Sequence, residues 1–215
     1  MTRRIDPALI PVAPTLEYEK SLWQSGIKHI AGVDEAGRGA LAGPVSAAAV
    51  VLPNQPNLIT LLAGVRDSKQ MTAKQRAERQ KVIQQEAVSW AVGFASSDEI
   101  DHFGIVPATR FAMQRALQNL SVPQQHILID AMLLAEVETP QTSLIKGDAR
   151  SLSIAAASVL AKVARDEWIS AKDKQYPGYK LANNKGYGTL AHRTAISKNG
   201  PSPIHRPSFA PMRLE

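Results

Sequence analysis

The 215-residue chain contains no cysteine. That excludes a disulfide scaffold and any thiolate-held metal. A bound metal must then take oxygen or imidazole ligands, which favours hard cations such as Mg²⁺ or Mn²⁺. No apolar run is long enough to cross a bilayer, and there is no internal repeat or low-complexity tract. Met1 to Pro14 carries Arg3 and Arg4 without an apolar signal core behind them, so a loosely ordered arm is expected. A soluble, cytoplasmic protein without membrane contact follows as the expectation, as does a monomer. Acids are outnumbered: 19 Asp and Glu face 25 Lys and Arg, a formal net charge of +6. Such an excess favours a polyanionic partner. What is plentiful is apolar: 44% of residues are hydrophobic, enough to fill the core of one sizeable domain with a small extension.

The chain is organised around residues 30–39, Ile-Ala-Gly-Val-Asp-Glu-Ala-Gly-Arg-Gly. Ile30, Ala31 and Val33 read as a buried strand that ends at two adjacent carboxylates, Asp34 and Glu35. Neighbouring strand side chains point to opposite faces, so one of the two acids faces the packed side of the sheet. A buried carboxylate needs a partner, and a divalent cation is one. Gly37 and Gly39 let backbone approach a ligand, and Arg38 between them suits phosphate. The same residues also fit a plain polar turn with surface acids. They match a relaxed dinucleotide fingerprint too, but that motif must open a helix. Here the turn runs through Gly43-Pro44 into Val45 to Leu52, which reads as another strand.

Further along, Leu16 to Gln24 reads as a short helix stopped by Ser25-Gly26. The strands at 28–34 and 45–52 are expected to pair antiparallel through their glycine-rich turn. Leu58 to Val65 is open in state. Thr72 and Gln75 form a capping-box pair ahead of a helix from Ala73 to about Ala87. Val88 to Ala95 reads as a strand, Ser96 to Gly104 as a polar connection, and Pro107 as the first turn of a helix reaching about Leu120. His126 to Asp130 is a parallel-type strand ending in an acid. Ser143 to Asp148 repeats that arrangement. Ser151 or Ser153 caps a helix containing Ala155 to Trp168, whose small residues allow close approach to a neighbouring backbone. The remainder is loop-rich and basic, at Lys180, Lys185, Lys198, Arg206 and Arg213, with one short helix near Leu190 to Ser197. Strands followed by alternating helix and strand argue an α/β fold with a mixed sheet.

Three strand ends thus carry acids: Asp34 with Glu35, Asp130, and Asp148. Ligands in open α/β sheets gather at strand ends. If these strands are neighbours, four carboxylates converge, and cations must offset their repulsion. Two ions about 3.5–4 Å apart can clamp the oxygens of an in-line phosphate displacement. Acids at strand ends are also ordinary turn residues, so spacing alone leaves convergence open.

Asp34-Glu35-Ala36-Gly37-Arg38-Gly39, Lys146-Gly147-Asp148, the run from Ser153 to Asp166, and Lys185-Gly186-Tyr187-Gly188-Thr189 with His192 together resemble ribonuclease HII, the type 2 ribonuclease H. Gly200-Pro201-x-Pro203-x-His205-Arg206-x-Ser208-Phe209 resembles its tail. The likeness extends from about Ile30 to Met212. It implies a ribonuclease H-like five-stranded sheet flanked by helices, over residues 28–172, between an arm at 1–27 and a helical and loop extension at 173–215. It implies an endoribonuclease that hydrolyses RNA in RNA–DNA hybrids and incises at single ribonucleotides in duplex DNA, leaving 5′-phosphate and 3′-hydroxyl ends. By position, Asp34, Glu35, Asp130 and Asp148 would be catalytic and hold two Mg²⁺ or Mn²⁺ ions. Gly37, Arg38 and Gly39 would read the 2′-hydroxyl, and Tyr187 would stack on the adjoining sugar. Ser68, Lys69, Lys146 and His192 would contact substrate. Asp166 reads instead as a helix-surface acid paired with Lys162 or Arg165. Departures from the family pattern are Ala40 in place of proline, Ala131 in place of glycine, and Gly104-Ile105-Val106 in place of an asparagine-containing turn. Met132 to Ser143 matches weakly.

Overall fold

In the computed structural model, which describes residues 5–210 and 212, a five-stranded mixed sheet lies between two helical layers. Along the chain the elements are α1 (Glu17–Gln24), β1 (Ile30–Ala36), β2 (Val45–Val51), α2 (Leu58–Leu61), α3 (Ala73–Glu86), β3 (Ser89–Ala95), α4 (Ser97–Phe103), α5 (Ile105–Gln118), β4 (His126–Asp130), β5 (Gln141–Leu144), α6 (Gly147–Arg150), α7 (Leu152–Ala171), α8 (Leu181–Asn184) and α9 (Leu190–Asn199). The sheet order is β3-β2-β1-β4-β5. β1 and β2 form the expected antiparallel pair, β3 adds antiparallel to β2, and β4 and β5 add in parallel on the other side. Of the expected arm, residues 5–14 hold one 3₁₀ turn at Pro7–Leu9. Arg3, Arg4 and Arg213 lie outside the described residues.

Alternation along β1 and β2 sorts side chains onto two faces. Ala31, Val33, Val45, Ala47, Ala49 and Val51 pack with Ala108, Ala112, Met113 and Ala116 of α5. Ala48 and Val50 pack on the opposite face with Ala155, Ala156, Val159 and Leu160 of α7. The small residues of α7 serve the close approach that they suggested. A Cβ built on Gly32 of β1 would lie 2.2 Å from the Ser153 carbonyl carbon. Every residue from Leu152 to Ala161 is buried.

The N-terminus of α7 is fastened by α1. Ser151 caps it, and the fully buried Glu19 accepts from the Ser151 hydroxyl (2.7 Å), the Ser153 amide (2.9 Å) and the Ser153 hydroxyl (2.7 Å). A carboxylate at the first turn of a long helix meets free N–H groups and the favourable end of the helix dipole. Thr15 adds a bridge to Ser151. Glu19 gave no warning of this in the sequence, where it lies on a short polar helix.

Three expectations change. β1 does not stop at Asp34: antiparallel pairing with β2 carries it on to Ala36, whereas parallel pairing with β4 reaches only Val33 opposite Ile129. Ser96 to Gly104 is not a polar connection but contains α4, nucleated by a capping box between Ser96 and Glu99. Its sequence signature equals that of Thr72 and Gln75, which caps α3 as expected. Leu58 to Val65, open in state, begins with the single turn of α2.

Ala131 takes φ +47° at the turn leaving β4, a conformation that costs a side-chain-bearing residue about 1–2 kcal/mol. The glycine that the resemblance would place there has a steric reason. Ala131→Gly is expected to stabilise the protein by about 1 kcal/mol. Gly32→Ala is expected to destabilise it by about 1–3 kcal/mol, since backbone and not a flexible side chain blocks the new methyl. Urea unfolding midpoints of the two variants check both signs.

Candidate active site

Because Val33 lies opposite Ile129 in a parallel pair, the next residues, Asp34 and Asp130, stand side by side where the pairing of β1 with β4 ends. Asp34 shares the α7 face with Gly32 and is only 4% exposed. Its Oδ1 accepts the Glu35 amide at 2.7 Å, and the Ser158 hydroxyl of α7 is a further partner. Glu35 points the other way, half-buried, with Oε1 3.2 Å from Arg38 Nη1. Asp130 Oδ1 accepts the Gly147 amide at 2.6 Å. That bond ties the end of β4 to the turn carrying Asp148, which is also buried. A Cβ on Gly147 would lie 2.7 Å from Ile154 Cδ1 and 3.3 Å from Asp130 Oδ1, so a side chain there would have to displace the end of Ile154.

The four carboxylates feel each other. Burial first, then the charges of Glu35, Asp130 and Asp148, holds the Asp34 carboxyl well above the usual range. Burial also raises Asp130, with Glu35 adding to it and the Gly147 bond opposing. Asp148 is pushed up to about 6 by burial, then by Asp130 and Asp67. Lys69 answers this field: burial lowers its pKa, but Asp34, Asp67, Asp148 and Glu35 outweigh it and hold the ammonium above its ordinary value.

An all-oxygen donor set of this charge suits hard divalent cations. Among the described residues, no three acids are yet closed to ion-binding distance. Each of three acids is turned onto a local partner: Asp34 onto the Glu35 amide, Asp130 onto the Gly147 amide and Glu35 onto Arg38. Mutual repulsion opposes closure unless positive charge enters between them. The donors fit the expected ions; the ions would complete the geometry.

Beside the acids opens a cleft of about 540 Å³ lined by Glu35, Gly37, Arg38, Gly39, Lys69, Lys162 and Tyr187 among others. The Gly37–Pro44 turn forms one wall, and buried arginines shape it. Arg165 donates to the carbonyls of Pro44, Lys185 and Ala42, each at 2.9 Å. Arg206 donates to Gly43 (2.7 Å from Nη2), Ala40 (2.8 Å) and Arg38 (3.0 Å). Gly37 has φ +92°, and a Cβ there would strike Arg165 Nε at 1.9 Å. Gly39 is open, with no heavy atom within 4 Å of a built Cβ. The Tyr187 ring forms the far wall, with Arg165 and Lys162 at 5.1 and 5.0 Å from its centroid.

Ser68 lines the cleft with its hydroxyl 3.0 Å from that of Ser158, and Lys69 follows it on the rim. Lys146 is exposed at the left-handed residue that opens α6, and is absent from the cleft lining. His192 is misplaced by the sequence reading. It is fully buried, bonded to the Tyr187 carbonyl (3.0 Å) and to His205 (3.1 Å), and cannot touch a ligand in the cleft. Asp166 pairs with Lys162 (2.7 Å) and Arg76 (3.6 Å); Arg165, the other expected partner, turns inward to the carbonyls. Lys162, Ser158, Ile105 and Phe209 join the site without having been singled out for it. For Ser158 and Lys162 a signal existed: they stand four apart on one face of α7.

A sequence model of the family described as Ribonuclease HII matches residues 31–212. The chain is 54% identical over 202 residues to the ribonuclease HII of Synechococcus sp. (strain JA-3-3Ab), covering 94% of this chain and 90% of that one. It is 50% identical over 200 residues to the ribonuclease HII of Desulfitobacterium hafniense (strain DSM 10664 / DCB-2), covering 93% and 75%. Among solved structures, the ribonuclease H2 of Pyrococcus horikoshii OT3 superposes with a TM-score of 0.71 at 27% identity, over 86% of this chain and 95% of that one.

The raised carboxyls make a signed prediction for the metal-free protein. A group whose folded pKa exceeds its unfolded value stabilises the fold below the unfolded pKa, and that stability is lost as pH rises through the folded value. For Asp148 the window runs from about 4 to about 6. In chelator, the urea midpoint is expected to rise as pH falls from 8 to 5. Saturating Mn²⁺ or Mg²⁺ is expected to raise the midpoint most at pH 8 and so flatten the profile.

Proposed function

This chain belongs to the ribonuclease HII family and is a ribonuclease H, a hydrolase, and from that premise we propose that it incises duplex DNA at single embedded ribonucleotides as well as cutting RNA in RNA–DNA hybrids. The observation that carries this reading is the convergence of Asp34 and Asp130 from neighbouring strands with Asp148 in the first turn of α6, and Glu35 on the adjoining cleft.

The four carboxylates would hold two divalent ions, Mg²⁺ or Mn²⁺. Bound there, the ions would supply charge neutralisation at the scissile phosphate and acidify an attacking water. The rest falls to the chain. The Gly37–Gly39 turn offers backbone at the cleft surface, held rigid from behind by Arg165 and Arg206, and open at Gly39 for close approach. It reads the 2′-hydroxyl, the group that separates ribose from deoxyribose. Tyr187 presents its ring to the sugar that follows, backed by two cations. Lys69, Ser68 and Lys162 line the same cleft and take phosphate oxygens. Lys146, exposed before Asp148, adds a further phosphate contact at the rim. In-line hydrolysis leaves 5′-phosphate and 3′-hydroxyl ends. The protein works as a monomer in the cytoplasm on this reading, with the net positive charge drawing it to nucleic acid.

The test is a labelled DNA duplex with one ribonucleotide, incubated with Mg²⁺ or Mn²⁺. Incision on the 5′ side of the ribonucleotide is expected. Even loss of a group that only supports a metal ligand costs about 10–100-fold, so Asp34→Asn is expected to lose more than about a hundredfold. Tight hybrid binding with no incision in either metal would mark a binding protein instead.

A further inference from the structure

His192 and His205 lie behind the cleft, out of reach of any ligand in it, yet their hydrogen bonds lead straight to it. His205 Nδ1 faces the Ser202 amide at 2.9 Å and the Ser202 hydroxyl at 2.8 Å. An amide N–H can only donate, so Nδ1 of His205 is the acceptor and its proton sits on Nε2. That Nε2–H points at His192 Nε2, 3.1 Å away, which must then accept. The proton of His192 is left on Nδ1, where it donates to the Tyr187 carbonyl at 3.0 Å. One backbone amide thus fixes both tautomers, and each member of the chain has one direction only. Burial keeps both rings neutral, lowering His192 and bringing His205 down to about 4. The pair is packed against Tyr179, whose ring centroid lies 4.8 Å from that of His205. The neighbouring charged group is Arg206, which is spent on carbonyls of the Gly37–Pro44 turn.

We propose that His192 and His205 are positioning residues that set how well the protein discriminates a single embedded ribonucleotide from a continuous RNA strand, by fixing Tyr187 against the Gly37–Gly39 turn. This rests on the functional reading above, in which Tyr187 meets the sugar beside the ribonucleotide. Residues 202–206 run beside the turn, with Gly43 donating to the Ile204 carbonyl at 2.7 Å and Arg206 to the Leu41 carbonyl at 2.9 Å. The relay therefore makes one tail segment the support of both cleft walls. It also explains why two histidines stand in a buried place where aliphatic side chains would pack more cheaply: a neutral imidazole accepts at one ring nitrogen and donates from the other.

The experiment compares kcat/KM on a duplex with one ribonucleotide and on a uniform RNA–DNA hybrid. His192→Phe keeps the ring volume and removes both bonds. Its ratio of embedded to uniform cleavage is expected to fall at least about tenfold, in kcat more than in KM, because the ring is displaced and not lost. His192→Asn, whose amide can still donate near the Nδ1 position, is expected to return the ratio to within about threefold of wild type. Equal losses on both substrates, or no loss, would overturn the proposal. Nitrogen NMR on the unaltered protein gives a second measurement that survives if His192→Phe does not fold. It is expected to show His192 protonated on Nδ1 and His205 on Nε2; the reverse tautomers would overturn the relay. Wild-type protein that cuts neither substrate overturns the functional reading itself, a result distinct from an unchanged ratio.

Discussion

Two guanidinium groups in the interior hold the molecule's working surface in place. Arg165 and Arg206 are fully buried and neither makes a salt bridge among the described residues. Their charge is met instead by backbone carbonyls, and most of those belong to one turn: Arg38, Ala40, Ala42, Gly43 and Pro44. A buried cation is costly unless every donor is used. A planar fork with five N–H groups can serve several carbonyls at once, which a lysine cannot. The requirement runs both ways. The turn needs the arginines to satisfy carbonyls that face inward, and the arginines need the turn to stay solvated by the protein. Helix α7 and the tail segment, which supply them, are thereby locked to the end of β1.

The acids obey the opposite logic. Asp34, Asp130 and Asp148 are gathered where their charges oppose one another, and burial adds to the cost. A fold chosen for stability alone would not assemble them. The parallel pairing of β1 with β4 sets Asp34 beside Asp130, and the bond from the Gly147 amide to Asp130 brings Asp148, at the start of α6, to the same edge. Close packing of α7 over Gly32 then seals the face on which Asp34 and Asp130 project. Cost at the site is offset by the two hydrophobic layers on either side of the sheet, and a divalent cation is the natural complement to what remains.

The arrangement also gives meaning to small features of composition. Gly37 is needed because Arg165 occupies the space of a side chain, whereas a side chain at Gly39 would meet only open space. Ala131 shows the same constraint unmet, a side chain tolerated at a positive φ beside an acid of the site. Glu19, on a helix that looked peripheral, fastens the first turn of the longest helix and so belongs to the scaffold of the site.

Local patterns determined much of this from sequence alone: the antiparallel β1–β2 pair, the capping box of α3, the small-residue face of α7, and the acids placed near three strand ends. These follow from rules reaching only a few residues along the chain. Even α4 was written in such a rule, through Ser96 and Glu99. Only the tertiary structure decided which acids share a face, because that depends on register between strands nearly a hundred residues apart. It alone withdrew His192 from the cleft, put Lys162 in the cleft lining, and set the buried Ser158 behind it against Ser68 and Asp34. It alone revealed Arg165 and Arg206 as buried clamps, since a basic residue in a charged motif reads as a surface group until its carbonyl partners, distant in sequence, are brought to it.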